Sequence, residues 1–347
     1  MAGMFLLAMS LSGSVLVFHD EIDHAFFRNE ILLQEHGQRL SFDRSFEHIR
    51  KNNPGWEIRI PALPDDRQAL KYELRKGNLR KWIFVHPEKG HVLATIDRAD
   101  RRLVNVLLTF HYSLFGGTPG KIFVTIIGVA FLALLVTGVI LYRKSLVKVF
   151  LFRHRFSLKS RRAFFSSAHR LIGVWGLALN VLICITGIRI AYVVTSAAIN
   201  ATESPISVPV ITHSIDALVS KAQAAHPEFR VRYLRFPSTD EGKLLLLGHL
   251  GSDPSYYGRT YSNIAINYQS GDVEGISLLR DKPFSERFLI ILQPLHFGDY
   301  AGIWVKLIYA IGGLLPGVLA LSGFLIWRYQ HRKSRPIQRN VLLMQKQ

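Results

Sequence analysis

Three histidines carry the chemistry this chain can offer: His111, His296 and His169. The first two occupy matching places in a block that occurs twice, over 111–143 and 296–328. Laid over each other without a gap, the copies match at His111/His296, Gly117/Gly302, Lys121/Lys306, Gly128/Gly313, Gly138/Gly323 and Arg143/Arg328, with Thr137 facing Ser322. A neutral imidazole at a helix end, projecting into a bundle, is the usual axial ligand of a b-type haem. Helix bundles grip haem between facing helices, one imidazole from each side. Pseudo-two-fold symmetry predicts that His111 and His296 meet near one membrane face. His169 is expected at the other face, where it needs an equivalent histidine from the first half. Two haems stacked in this way make a path for electrons. Lys121, Lys306 and Arg170 are placed to meet haem propionates. A lone interfacial histidine more often snorkels or hydrogen-bonds, and the glycines also suit plain helix packing; it is the repetition that favours ligation.

Stepping outward from the histidines, four apolar runs are available to hold them: Met1–Phe18, Ile122–Tyr142, Leu171–Thr195 and Ile303–Trp327. A helix needs about 20 such residues to cross a bilayer, and the first run is at the short end. The net charge of +18 has a lopsided distribution. Nine Lys/Arg and no acid lie between Arg143 and Arg170, and six more with no acid lie between Arg328 and Gln347. Both clusters follow an even-numbered span, so the positive-inside rule places them in the cytoplasm and puts 19–121 and 196–302 outside. A basic rim facing anionic lipid explains this charge, and no nucleic-acid recognition motif accompanies it. Cys184 is the only cysteine, which excludes an internal disulfide. Nucleotide fingerprints, nucleophile elbows, phosphate loops and zinc-spaced Cys/His sets are absent. Arg189, inside the third run, is costly in lipid and is expected to face the bundle or a ligand. His19, His24, His154 and His331 are expected to be solvated.

The outer segments repeat as well. Asp43–Lys51 and Ile215–Ala224 read as short amphipathic helices, followed by the alternating strands Trp56–Ile60 and Phe229–Tyr233. Pro54/Pro227, Trp56/Phe229, Ile58/Val231 and Pro64/Pro237 keep one common spacing. The expected architecture is a membrane α-helical bundle of four transmembrane helices with an internal two-fold repeat, bearing two small α+β outer domains. Its segments are helix 1–18, domain 19–121, helix 122–142, basic loop 143–170, helix 171–195, domain 196–302, helix 303–327 and basic tail 328–347. Ser12-Gly13 aligns with Thr186-Gly187. His169-Arg170 lies 18 residues before Gly187, and the matching place in the first half falls upstream of Met1. The first helix is therefore expected to be short by about a turn and a half, leaving the inner haem without one ligand.

The chain resembles the PepSY-associated transmembrane proteins, which include iron-regulated inner-membrane proteins and ferric-siderophore reductases. The residues that carry the resemblance are His169-Arg170-Leu171-Ile172-Gly173 with Thr186-Gly187; Leu295-His296 with Gly302, Lys306, Ser322-Gly323 and Trp327; and Phe110-His111 with Gly117, Thr137-Gly138 and Arg143. The turns at Pro87–Gly90 and Tyr268–Gly271 are similar to the strand–turn–strand of PepSY-like domains. The resemblance implies a bacterial inner-membrane protein with periplasmic domains and two haem b groups, ligated by His111, His169 and His296. Such a protein would take electrons from a donor and pass them to ferric siderophore, releasing iron. The alternative, of a different class, is a non-enzymatic anchored PepSY module that binds or inhibits a partner in iron uptake or at the cell envelope.

Overall fold

The structure, a computed structural model, describes residues 2–34, 39–153, 156–201 and 205–332. His154 and most of the basic tail lie outside them. Three helices are long and apolar enough to span a bilayer: α6 (Gly117–Tyr142), α9 (Leu177–Ile199) and α12 (Ile303–Arg332). A fourth crossing is available if α1 (Ala2–Leu16) is counted with α2 (His19–Phe26), which is bent from it by 63°. Before α9 runs α8 (Arg161–Trp175), set off by a break at Gly176, so the span-length helix begins at Leu177, later than the expected Leu171. The short α7 (Leu146–Phe150) lies in the basic loop, where Phe150 and Phe152 both stack on Trp175.

The two halves are interleaved. The first helix of each packs on the last helix of the other: α1 on α12, and α9 on α6. Small residues permit this approach. A methyl at Gly317 would stand 2.9 Å from Leu7, and one at Gly128 would stand 3.0 Å from Ile188. Pro316 interrupts the α12 ladder, and the Ser10 hydroxyl enters the gap. It donates to the Gly313 carbonyl at 2.6 Å and accepts from the Gly317 N–H at 2.9 Å. The repeat partner of Gly313 is Gly128, whose carbonyl receives the Cys184 thiol at 3.5 Å. One polar contact therefore occurs on both sides of the pseudo-axis.

Outside the bilayer, two separate small domains are not what the chain builds. Strands β1 (Glu57–Ile60), β2 (Leu70–Lys76), β3 (Leu79–Val85) and β4 (Val92–Ile96) join β5 (Phe229–Arg235), β6 (Leu244–Leu250), β7 (Ser262–Ile266) and β8 (Val273–Ser277) in one antiparallel sheet. Its order is β4-β3-β2-β1-β5-β6-β7-β8. The seam is the pairing of Ile60 with Leu234 and Arg59 with Arg235. One face is covered by α4 (Asp43–Asn52) and α10 (Ile215–Ala225), and a single core runs beneath both, with Phe46 stacked on Phe236 at 4.2 Å. The physical reason for the fusion is that a four-stranded half would leave β1 as an open edge, and pairing with β5 satisfies its backbone groups.

The caps also cross the seam. Asp43 accepts from Ser214 Oγ (2.5 Å) and the Ile215 N–H (2.6 Å) at the start of α10. Asp216 accepts from Ser41 Oγ (2.6 Å) and the Phe42 N–H (2.7 Å) at the start of α4. Each carboxylate serves the other half's helix terminus, where orphan N–H groups and the helix dipole favour negative charge. Asp43→Ala and Asp216→Ala are each expected to lower stability by about 1–2 kcal/mol. Thermal unfolding of the purified protein checks this, and unchanged melting in both variants would refute the clamp.

Candidate functional site

Neither His111 nor His296 lies on the spanning helix it precedes in sequence. They sit near the ends of separate helices, α5 (Leu103–Ser113) and α11 (Phe284–Phe297). Tight turns then reverse the chain into α6 and α12. Leu114, Phe115 and Gly117 take positive φ in one turn (48°, 60° and 58°), and Gly298 and Gly302 do so in the other (69° and 77°). α5 packs against α1, and α11 against α9, so each histidine is laid on the first helix of its own half.

The contact made there is the same twice. His111 Nδ1 is 3.0 Å from Ser12 Oγ, and His296 Nδ1 is 3.1 Å from Thr186 Oγ1. A methyl added at Gly13 would stand 2.9 Å from His111 Cε1, and one at Gly187 would stand 2.9 Å from His296 Cε1. The glycine is what lets the ring lie flat on the helix. His169, on α8, repeats the arrangement at the other end of the bundle: its Nδ1 is 2.9 Å from Ser322 Oγ, and Gly323 lies beneath the ring.

The hydroxyls fix the tautomer. Ser12 Oγ donates to the Ala8 or Met9 carbonyl (3.0 and 3.1 Å), Thr186 Oγ1 to the Leu182 carbonyl (2.6 Å) and Ser322 Oγ to the Leu319 carbonyl (3.1 Å). With its proton committed to the backbone, each oxygen can only accept, so Nδ1 carries the imidazole proton. Among the described residues none of the three Nε2 atoms makes a hydrogen bond, and each presents a lone pair. An N–H held by an outer partner and a free Nε2 is how a histidine is oriented toward a metal. His296 lies close enough to His111 for a charge on one to act on the other.

The second level is about 13 to 14 Å away along α12, taking Ser322 against Gly313 at 1.5 Å per residue. Between the levels Asn180 is fully buried, with neither amide atom hydrogen-bonded. A fourth hydroxyl–glycine pair, Thr137-Gly138, faces no histidine among the described residues. Thr137 Oγ1 donates only to the Ala133 and Leu134 carbonyls, and a methyl at Gly138 would meet nothing within 4 Å.

The expected propionate partners divide. Lys121 is half-buried at the start of α6, 5.7 Å from the Tyr112 ring centre. Arg170, beside His169, donates to the Ser166 carbonyl at 3.3 Å. Lys306 is only 6% exposed, and two carboxylates hold it: Glu21 at 2.8 Å and Asp299 at 3.4 Å. Its charge is already neutralised, so Lys306 is not a free cation for a propionate. Arg189 keeps Nη1 buried without a partner, as a cation facing into the bundle would. Of the histidines expected to be solvated, His19 bonds the Leu16 carbonyl and His331 the Trp327 carbonyl. Among the described residues no group of three or more His, Cys, Asp or Glu could hold a bare metal ion.

Reasoning from sequence missed the hydroxyls as partners of the histidines. The signal was present, because Ser12, Thr186, Ser322 and Thr137 each precede a glycine at repeat-matched places.

A family model described as the PepSY-associated TM region matches residues 1–329. The chain belongs to that family. It is a membrane protein, and the four-fold hydroxyl–glycine pattern is a feature of this PepSY-associated chain's own helices. It is also similar to the uncharacterized protein PA4219 of Pseudomonas aeruginosa, with 26% identity over 273 residues, 69% of this chain. The aligned region spans 66% of the length of that relative.

The tautomer is directly testable. Nitrogen NMR of histidine-labelled, ligand-free protein at neutral pH is expected to show His111, His169 and His296 protonated at Nδ1. Protonation at Nε2 in any of them would remove its lone pair from the bundle.

Proposed function

We propose that this PepSY-associated chain is a b-type haem protein of the bacterial inner membrane that passes electrons to a ferric siderophore on the sheet-bearing side, which is then the periplasm. The observation that carries the reading is the seating of three imidazoles, each with Nδ1 tied to a hydroxyl and Nε2 free. His111 and His296 would hold one haem from its two sides at the outer level. His169 would hold a second at the inner level, with its partner supplied from outside the described residues. Two facing imidazoles, rather than a cluster of acids and cysteines, fit iron porphyrin better than a bare ion. Bound haem supplies a one-electron Fe(III)/Fe(II) couple.

The protein residues do the rest. Ser12, Thr186 and Ser322 occupy Nδ1 and keep the rings correctly turned. Gly13, Gly187 and Gly323 keep the ring faces clear. Lys121 offers a cation at the outer level, and Arg170 lies beside His169 at the inner one. In the overall reaction one electron from a donor on the basic, cytoplasmic side converts one chelated Fe(III) to Fe(II). Hard oxygen ligands hold Fe(II) less tightly, so iron is released.

The exposed edge strands β4 and β8 favour a second reading. Open edges can pair with an extended segment of another protein, as a non-enzymatic PepSY accessory would use them.

Dithionite-reduced protein is expected to show a b-type alpha band. His111→Ala and His296→Ala should each remove the outer haem and spare the inner one, and both should abolish reduction of ferric chelate added from the sheet side. A protein without the band, or haem content unaffected by either substitution, would sink the reductase reading and leave the accessory one.

A further inference from the structure

The repeat is broken at one place where the break exposes cations. Arg102 and Arg287 are the same residue of the repeat, nine positions before His111 and His296. Arg102 has partners: it is ion-paired with Asp23 and its guanidinium lies 4.0 Å over the Trp82 ring, only its Nε being buried without a hydrogen bond. The places that should serve Arg287 hold Ala197 and Asn263. Ala197 follows from the Ser12–Thr186 correspondence. Asn263 follows from strand register, since it pairs with Leu247 of β6 where Trp82 pairs with Glu73 of β2. Among the described residues the Arg287 side chain makes no ion pair or hydrogen bond, and its Nε is buried without a partner.

Two more side chains on this part of the sheet, one of them a cation, have an unpartnered buried nitrogen. Arg232 Nε and His249 Nδ1 are buried and unpartnered. His249 is two residues along β6 from Leu247, on the face opposite the shared core that takes Leu244, Leu246 and Leu250. Burial, with Arg232 and Arg259 close by, holds the His249 imidazole below its usual range, so it is neutral at pH 7. The one acid that acts on it, Asp253, is already accepting the Leu250 N–H at 2.8 Å.

A loop is added at the same place. β2 and β3 are joined by Gly77-Asn78 alone, whereas β6 and β7 are joined by residues 251–261. The insertion carries Tyr256, Tyr257, Arg259 and Tyr261. It rests on α11, with Tyr261 OH 3.1 Å from Gln293 Oε1 and Gly258 against Pro294. Gln293 is three residues before His296. Tyr256 remains 43% exposed, its ring 4.9 Å from that of Tyr257.

We propose that Arg232, Arg259 and Arg287, with the His249 ring and the rings of Tyr256 and Tyr257, form the docking site for a net-anionic iron chelate beside the His296 helix. This rests on the reductase reading and narrows it to one substrate class. Guanidinium forks match carboxylate and phenolate oxygens, and aromatic rings cover a planar catechol face. A neutral chelate would bury the same cations without compensating them, so the site discriminates by charge.

Redox-inert gallium complexes test this without electron transfer. Full-length protein in nanodiscs of zwitterionic lipid is titrated by calorimetry with anionic gallium tris(catecholate) and neutral gallium tris(hydroxamate). The anionic complex is expected to bind at least about tenfold tighter. Arg287→Gln and Arg232→Gln should each weaken it by about tenfold or more, while Arg287→Lys keeps much of the affinity and the distant Lys51→Gln changes nothing. Equal binding of the two complexes, or indifference to both arginine substitutions, overturns the proposal. Displacement of the gallium complex by added anionic phospholipid also overturns it, in favour of a lipid headgroup site. Haem-free protein that still binds by charge would sink the reductase reading and leave the docking site; haem-replete protein that binds without charge preference would do the reverse.

Discussion

An imidazole seated on a hydroxyl–glycine step of a neighbouring helix is the contact on which the rest of the membrane half depends. The glycine removes the side chain that would stand 2.9 Å from Cε1 in two of the three seats. The hydroxyl, tied to its own helix backbone, leaves the ring one acceptor and so one tautomer. In lipid an unsatisfied polar group is expensive, and this arrangement satisfies Nδ1 while keeping Nε2 in reserve. Everything around it holds the rings in register: positive-φ turns that fold α5 and α11 back, small residues that bring α1 onto α12, and a sheet that ties the halves together above.

Much of this was legible in the sequence. The two copies of the histidine block align without a gap, and the apolar runs announce their spans by length. Ser12-Gly13 could be matched to Thr186-Gly187 before any coordinates. What was not legible depends on long-range or context-set physics. α5 and α11 are short and apolar, and in sequence they run on into the spans that follow, so the histidines read as lying at the ends of those spans. Only the left-handed turns at Leu114–Gly117 and Gly298–Gly302 separate them. The seam between β1 and β5 joins residues far apart in sequence whose alternation is equally good for an edge strand or an inner one. Lys306 looked like its repeat mate Lys121 until Glu21, on a helix from the other half, reached it.

The duplication is most informative where it fails. Ser10 and Cys184 perform the same task with different atoms, which is tolerant substitution within one packing scheme. Arg102 and Arg287 are different: one has an ion pair and an aromatic ring, and among the described residues the other has neither. Buried polar groups without partners are few in folded proteins, and among the described residues Arg232 and His249 are two of them on the second half of the sheet, with Arg287 a third on α11. Symmetry builds the scaffold, and the departures from it mark where the two halves have taken different work.

The interleaving of α1 with α12 has a consequence for biogenesis. α1 is made long before α12, on which it has its principal packing surface. Until α12 is inserted, the Ser10 hydroxyl lacks the opened rung at Pro316, and until β5 is made the shared sheet has only half its strands. The chain cannot mature as two modules in succession; its halves must wait for each other and close late, as a clasp does.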